Sequence, residues 1–250
     1  MNAYLVRVFL CVCAATIAAL IVAIFPAQAQ ILRKDGLLPV LLQQLEPFGR
    51  WSGVAPAGPM WERWREFENG VAQSAAALAR CRAEPVSCSD AETRLVAVID
   101  NVRALQGRAK LGILNREINL SIAYVSDRLQ HAQADVWSDA ITTFKTGRGD
   151  CEDFATAKYL ALREAGISPE DLRLVIARVN VLGQAHAVVA ARLDGHWLIL
   201  DNRHMAMLDD VNARELEPLF AFGDDGVHQF GAPVEIDNVA AGGNALPVLM

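Results

Sequence analysis

The 250-residue chain is long enough for one large domain or two small ones, and it carries 29 acidic against 23 basic side chains, a formal charge of −6. That balance, with no basic run, lacks the electrostatic footprint of a nucleic-acid binder. The 53% hydrophobic content is an ordinary globular composition plus one apolar excess, which sits at the N-terminus.

There, "MNAYLVR" precedes "VFLCVCAATIAALIVAIF" and then "PAQA". Arg7 marks a short charged n-region, the apolar run an h-region, and Ala27-Gln28-Ala29 a small-x-small cleavage site. Residues 1–29 are therefore expected to be a signal peptide, with a mature chain starting near Gln30. An uncleaved anchor is the alternative, because a run of about 18 apolar residues just suffices to span a bilayer. Either route exports the rest. No later stretch is apolar enough to cross a membrane, and no internal repeat is visible.

Residues 30–58, with Pro39, Pro47 and Pro56, are expected to form an extended leader packed on the domain. Over 60–81, Trp61, Trp64, Phe67, Val71 and Leu78 recur at helical spacing, which makes the tryptophans core rather than ligand-binding residues. Cys81 and Cys88 lie seven residues apart across the Pro-containing loop "CRAEPVSC", a spacing that suits a disulfide in an oxidising compartment. Ser89 or Asp90 can cap a second helix with Leu95, Val98, Ile99 and Val102 on one face. A third helix is expected over 108–124, through Leu111, Leu114, Ile118 and Ile122. The polar connection 126–137 ends on Trp137.

"GRGDCEDF" (147–154) follows, opening a largely buried helix over 152–166 that Gly166 would cap. Strands are expected at 171–180, 185–193 and 196–201, the last two joined by Asp194-Gly195, a strong hairpin signal. A helical piece near 212–220, a further strand near 227–236 and a loose tail over 241–250 complete the pattern. Helices followed by an antiparallel sheet make an α+β domain over about 59–240.

With Cys11 and Cys13 leaving in the signal and Cys81 paired to Cys88, Cys151 is the odd thiol, and an odd thiol in an exported protein invites a chemical role. A cysteine nucleophile needs a base, and the base an orienting group. A two-residue Asp194-Gly195 turn sets Leu193 opposite His196 and Val188 opposite Asp201. His186, two residues from Val188, then shares a sheet face with Asp201 and can reach it. A slip of one residue would separate them.

The blocks "GRGDCEDFATAKYLALREAGI", "LRLVIARV" and "AHAVVAARLDGHWLILDN" together resemble the bacterial transglutaminase-like cysteine proteinases, typified by the LapG-type periplasmic proteases of biofilm adhesins. The resemblance spans roughly 95–222. It implies a papain-like/transglutaminase-like fold with Cys151 as nucleophile, His186 as general base and Asp201 as orienter. Trp137 would wall the site or assist its oxyanion pocket. The resemblance also implies a Ca²⁺ site on Asp150, Glu152 and Asp153, since a hard cation collects carboxylate oxygens; an acidic first turn that only complements the helix dipole is the alternative. It further implies a periplasmic location, a surface-adhesin substrate cut in its N-terminal region and regulation by an inner-membrane cyclic-di-GMP receptor. "SDA" (138–140) departs from the family's habit of a proline after the tryptophan. Two other functions stay open: transamidation by the same Cys-His-Asp set, and a non-enzymatic calcium-dependent binding module.

Overall fold

A computed structural model describes residues 46–181 and 183–233. The expected signal peptide, the leader as far as residue 45 and the tail at 241–250 lie outside the described residues. In chain order the elements are β1 (Arg50–Val54), α1 (Pro59–Ala83), α2 (Asp90–Arg103), α3 (Gly107–Ser121), β2 (Ala123–Tyr124) and α4 (Asp127–Gln130). Then come α5 (Ala140–Thr146), β3 (Arg148–Gly149), α6 (Cys151–Glu164), β4 (Leu172–Val179), β5 (Ala185–Leu193) and β6 (His196–Leu200). The chain continues through β7 (Leu208–Asp209), β8 (Leu216–Gly223) and β9 (Gly226–Pro233). The fold is α+β, papain-like, with helices on an antiparallel seven-stranded sheet of order β1-β9-β8-β4-β5-β6-β7. No helix among the described residues is long and apolar enough to cross a membrane.

The centre of the molecule is α6. Phe154, Ala155, Ala157, Tyr159, Leu160, Ala161 and Leu162 are all buried, so the helix is enclosed on nearly every side. Phe67, Leu78, Leu95, Ile99, Leu111, Leu114 and Phe144 close around it from α1, α2, α3 and α5. The helix ends in a Schellman motif. Gly166 takes φ +90° and donates to the Arg163 carbonyl, and Ile167 N–H reaches the Leu162 carbonyl. Lys110 of α3, itself buried, donates to the Ala165 carbonyl at 2.7 Å and places a cation at the helix's negative end.

Strands β4, β5 and β6 bury both faces. Leu174, Val189 and Leu200 belong to the core with α6, whereas Val175, Val188 and Ile199 belong to a second cluster with Trp197. Double burial explains why these strands read as unbroken apolar runs. Asp194 and Gly195 take φ +50° and +79°, the turn that two-residue hairpins favour, and Leu193 pairs with His196. Cys81 and Cys88 are disulfide-bonded between α1 and α2, and Cys151 is the free cysteine among the described residues. Ser89 caps α2 in a capping box with Glu92.

Three expectations are corrected. Residues 50–54 are an edge strand paired with β9 rather than part of a leader, so the domain begins before residue 59. The helix expected near 212–220 is a short 3₁₀ turn, Asp210–Asn212, followed by strand β8. Pro218 would break a helix interior, and the register shift on β4 between Ile176 and Ala177 accommodates its missing N–H in the sheet. The polar connection 126–137 holds a helical turn, α4, and the residues before it pair with the loop that leads to Cys151.

Because the Asp194-Gly195 turn sets the β5–β6 register, Gly195→Val should weaken it. Forcing a β-branched residue into the left-handed region should lower the unfolding free energy by about 1–2 kcal/mol. A urea midpoint, read by circular dichroism, measures the loss.

Candidate active site

Cys151 is the first residue of α6, and Asp150 is its N-cap. The start is a reciprocal cap: the Asp150 side chain accepts from the Asp153 backbone, and Asp153 Oδ2 accepts from Asp150 N–H at 3.3 Å. Gly149 has to be a glycine, since a Cβ there would stand 2.5 Å from Asp153 Oδ2. The two-stranded parallel pair β2–β3 fixes the approach. Ala123 N–H bonds the Gly147 carbonyl and Val125 N–H the Gly149 carbonyl, both at 2.9 Å.

The Cys151 sulfur is half-buried between the helix start and β5. Its neighbours conflict. Burial raises the thiol pKa most, and the Glu152 carboxylate, 3.0 Å from Sγ, raises it further. The Ala187 backbone N–H, next to His186, favours the thiolate. The helix N-terminus contributes about half a positive charge at this point.

His186 and Asp201 are buried, with Nε2 2.9 Å from Asp201 Oδ1. Nε2–H donated to the carboxylate leaves Nδ1 as the ring's basic nitrogen. The contact follows from the Leu193–His196 register, carried one residue past the end of β6 at Leu200. Burial opposes the Asp201 charge, but hydrogen bonds from His186 and Arg203 outweigh it and hold the carboxyl pKa below its usual range. Asn119 on α3 donates to the Asp201 carbonyl at 3.0 Å and anchors the loop that carries it. Lys158 on α6 is fully buried, with no hydrogen-bond partner for Nζ and a pKa that burial brings down to about 7.

Around the helix start, Asp127, Asp150 and Asp153 are all buried and can each bring an oxygen within 4.8 Å of the others. Asp127, Asp135 and Glu152 form a second, overlapping group. Asp150 Oδ1 is buried without a hydrogen-bond partner. Burial pushes the Asp153 carboxyl up to about 7 and Glu152 to about 9. Converging acidic oxygens, one an orphan, fit a hard divalent cation. Asp127 and Asp135 come from the 126–137 connection, where nothing in the sequence marks them as partners of "GDCED". Trp137 lies edge-on to this cluster. Its indole N–H is donated to Asp135 Oδ1 at 3.1 Å, and its ring lies 5.8 Å from that of Phe222.

Residues 69–213 match the model of the bacterial transglutaminase-like cysteine proteinases. The solved structure of calcium-bound LapG from Legionella pneumophila is 26% identical, covering 64% of this chain and 87% of that one at a TM-score of 0.52. EGTA-treated LapG from the same organism is 25% identical over 63% of this chain and 89% of that one, also at 0.52. A further Legionella LapG structure shares the fold at 24% identity. Comparison with curated protein sequences returned no match.

The raised carboxyls set the pH dependence of the cation-free protein. Between the ordinary carboxylate range and about pH 9, folded Asp153 and Glu152 hold protons that the unfolded chain has lost. Stability from these groups is complete below about pH 4 and is lost as pH rises through 7 to 9. Urea midpoints at pH 5, 7 and 9 in EGTA should fall in that order, and Ca²⁺ should remove most of the decline.

Proposed function

Since the chain belongs to the bacterial transglutaminase-like cysteine proteinases, we propose that it is an exported, calcium-dependent endopeptidase with Cys151 as nucleophile, His186 as general base and Asp201 as orienter. The observation that carries this reading is the placement of the one free thiol described. It lies at a helix start, against the N–H of Ala187, the residue that follows His186, and the His186 ring is in buried contact with Asp201 at 2.9 Å.

In the reaction, Nδ1 of His186 takes the thiol proton and Sγ attacks the peptide carbonyl. The Cys151 N–H at the open end of α6 is placed to donate to the developing oxyanion. His186 returns the proton to the leaving amine, and water, activated by the same ring, releases the acyl group. Trp137, its indole N–H committed to Asp135, would serve as a wall rather than as the oxyanion donor. Asp127, Asp150 and Asp153 would hold calcium, with Glu152 and Asp135 beside them. The ion would supply the positive charge that lets these carboxylates stay ionised near a thiolate.

By the family resemblance seen in the sequence, the substrate would be the periplasmic N-terminal region of a large surface adhesin, and the protease would act in the periplasm. An inner-membrane cyclic-di-GMP receptor would regulate it. The test is incubation with periplasmic adhesin domains encoded in the same genome, with and without EGTA. Discrete fragments support the reading, whereas cross-linked products indicate transamidation.

Cys151→Ala should abolish cleavage, by about 10⁴-fold or more, with an unchanged melting curve, and His186→Ala should match it because such groups act as a unit. Activity close to wild type in Cys151→Ala defeats the assignment. For the cation, EGTA should stop cleavage and Ca²⁺ restore it, while Mg²⁺ should restore it poorly because it prefers near-octahedral geometry. Asp127→Ala should mimic EGTA and lose the calcium-dependent rise in melting temperature. Equal cleavage and melting in EGTA and Ca²⁺ would leave the acids as a helix cap alone.

A further inference from the structure

Asp201 is held by more than His186. Its Oδ1 accepts from His186 Nε2 at 2.9 Å, from the Arg203 backbone N–H at 2.9 Å and from Arg203 Nε at 3.3 Å. Its Oδ2 accepts from Arg203 Nε at 3.0 Å and Nη2 at 2.7 Å. Both donors recorded on Oδ2 therefore come from one guanidinium, in a fork that matches the carboxylate plane. Arg203 is one-third exposed, and Glu215 stands 3.7 Å from its Nη2 on the far side.

A carboxylate that is 1% exposed cannot leave Oδ2 without a donor at little cost. Freed of the guanidinium, the carboxylate would lose both recorded donors on Oδ2 and be free to rotate out of the plane in which Oδ1 meets the imidazole.

We propose that Arg203 is a positioning residue for the reaction: its guanidinium locks the plane of the Asp201 carboxylate so that Oδ1 meets His186 Nε2. The inference rests on the cysteine-protease reading above, and it assigns Arg203 no contact with substrate. Arg203 follows Asp201 by two residues in a turn that Asn115 and Asn119 brace through the carbonyls of Asp201, His204 and Met205. The fork is thus delivered by the same loop as the carboxylate.

Arg203→Ala tests this by crystallography and kinetics. In the variant the His186–Asp201 contact should lengthen beyond about 3.5 Å, where it is no longer a hydrogen bond. Adhesin cleavage should lose about 10- to 100-fold in kcat, with KM within about twofold, the effect of a misplaced catalytic geometry. Millimolar guanidinium, but not equal sodium chloride, should restore part of kcat by refilling the exposed slot. Arg203→Lys, which keeps the charge without the fork, should recover only part of the rate and guards against misfolding of the alanine variant. An unchanged His186–Asp201 contact, or a kcat within twofold of wild type, overturns the proposal. Should the wild-type protein cut no adhesin, the protease reading fails, while the crystal structure of the variant still decides the role of Arg203.

Discussion

The site depends on the burial of α6 against β5. A helix enclosed on almost every side cannot roll or slide without opening the core, so its first residue is fixed relative to the strand that crosses it. That strand presents the Ala187 N–H to the sulfur, and His186, the residue before it, meets Asp201 at 2.9 Å. A nucleophile on the last turn of a loosely packed helix would have no such reference. Both ends of α6 are also finished: Asp150 and Asp153 cap the start, and the Schellman turn with Lys110 closes the end. Packing supplies the position, and the caps prevent fraying at the one turn where fraying would matter.

Charge around that first turn is arranged against the thiol as much as for it. The helix end and the Ala187 N–H favour a thiolate, whereas burial and Glu152 oppose it more strongly. Acidic side chains at a helix N-terminus are ordinary complements to the dipole. Here they are buried, and Asp153 and Glu152 bind protons well above the usual range, so the cluster is under-compensated by protein groups alone. At Asp201 the compensation is complete, since hydrogen bonds from His186 and Arg203 outweigh the burial of its carboxylate.

Much of this was legible in the sequence because it follows from short-range rules. The Asp194-Gly195 turn fixed a register, and parity then put His186 and Asp201 on one face. The structure brings them to 2.9 Å. Helical spacing located α1, α2, α3 and α6 to within a few residues. The misses are long-range or local exceptions. Strand β1 pairs with β9, more than 170 residues away, and no local pattern announces such a partner. The segment before Phe220 carries apolar residues that also suit a helix, and its pairing to β4 decided otherwise. Asp127 and Asp135 lie in a stretch that looks like solvated loop, and only folding brings them to Asp150. Gly149 is dictated by the volume of the Asp153 side chain, a contact that exists only once the cap has formed.

The two-residue pairing of β2 with β3 is small, yet it changes what the acidic loop is. Tyr124 and Gly149 are tied side by side, so the chain between them, with Asp127 and Asp135 on it, is a closed ring rather than a tether. Asp127 lies on the ring three residues past one tie, Asp150 one residue outside the other, and Asp127 N–H already meets Asp150 Oδ2 at 3.2 Å. The entropy of bringing these distant residues together is met by the fold before any ion arrives. A cation drawn to this corner would find its first ligands waiting at high effective concentration, and its arrival would need no search by a floppy segment.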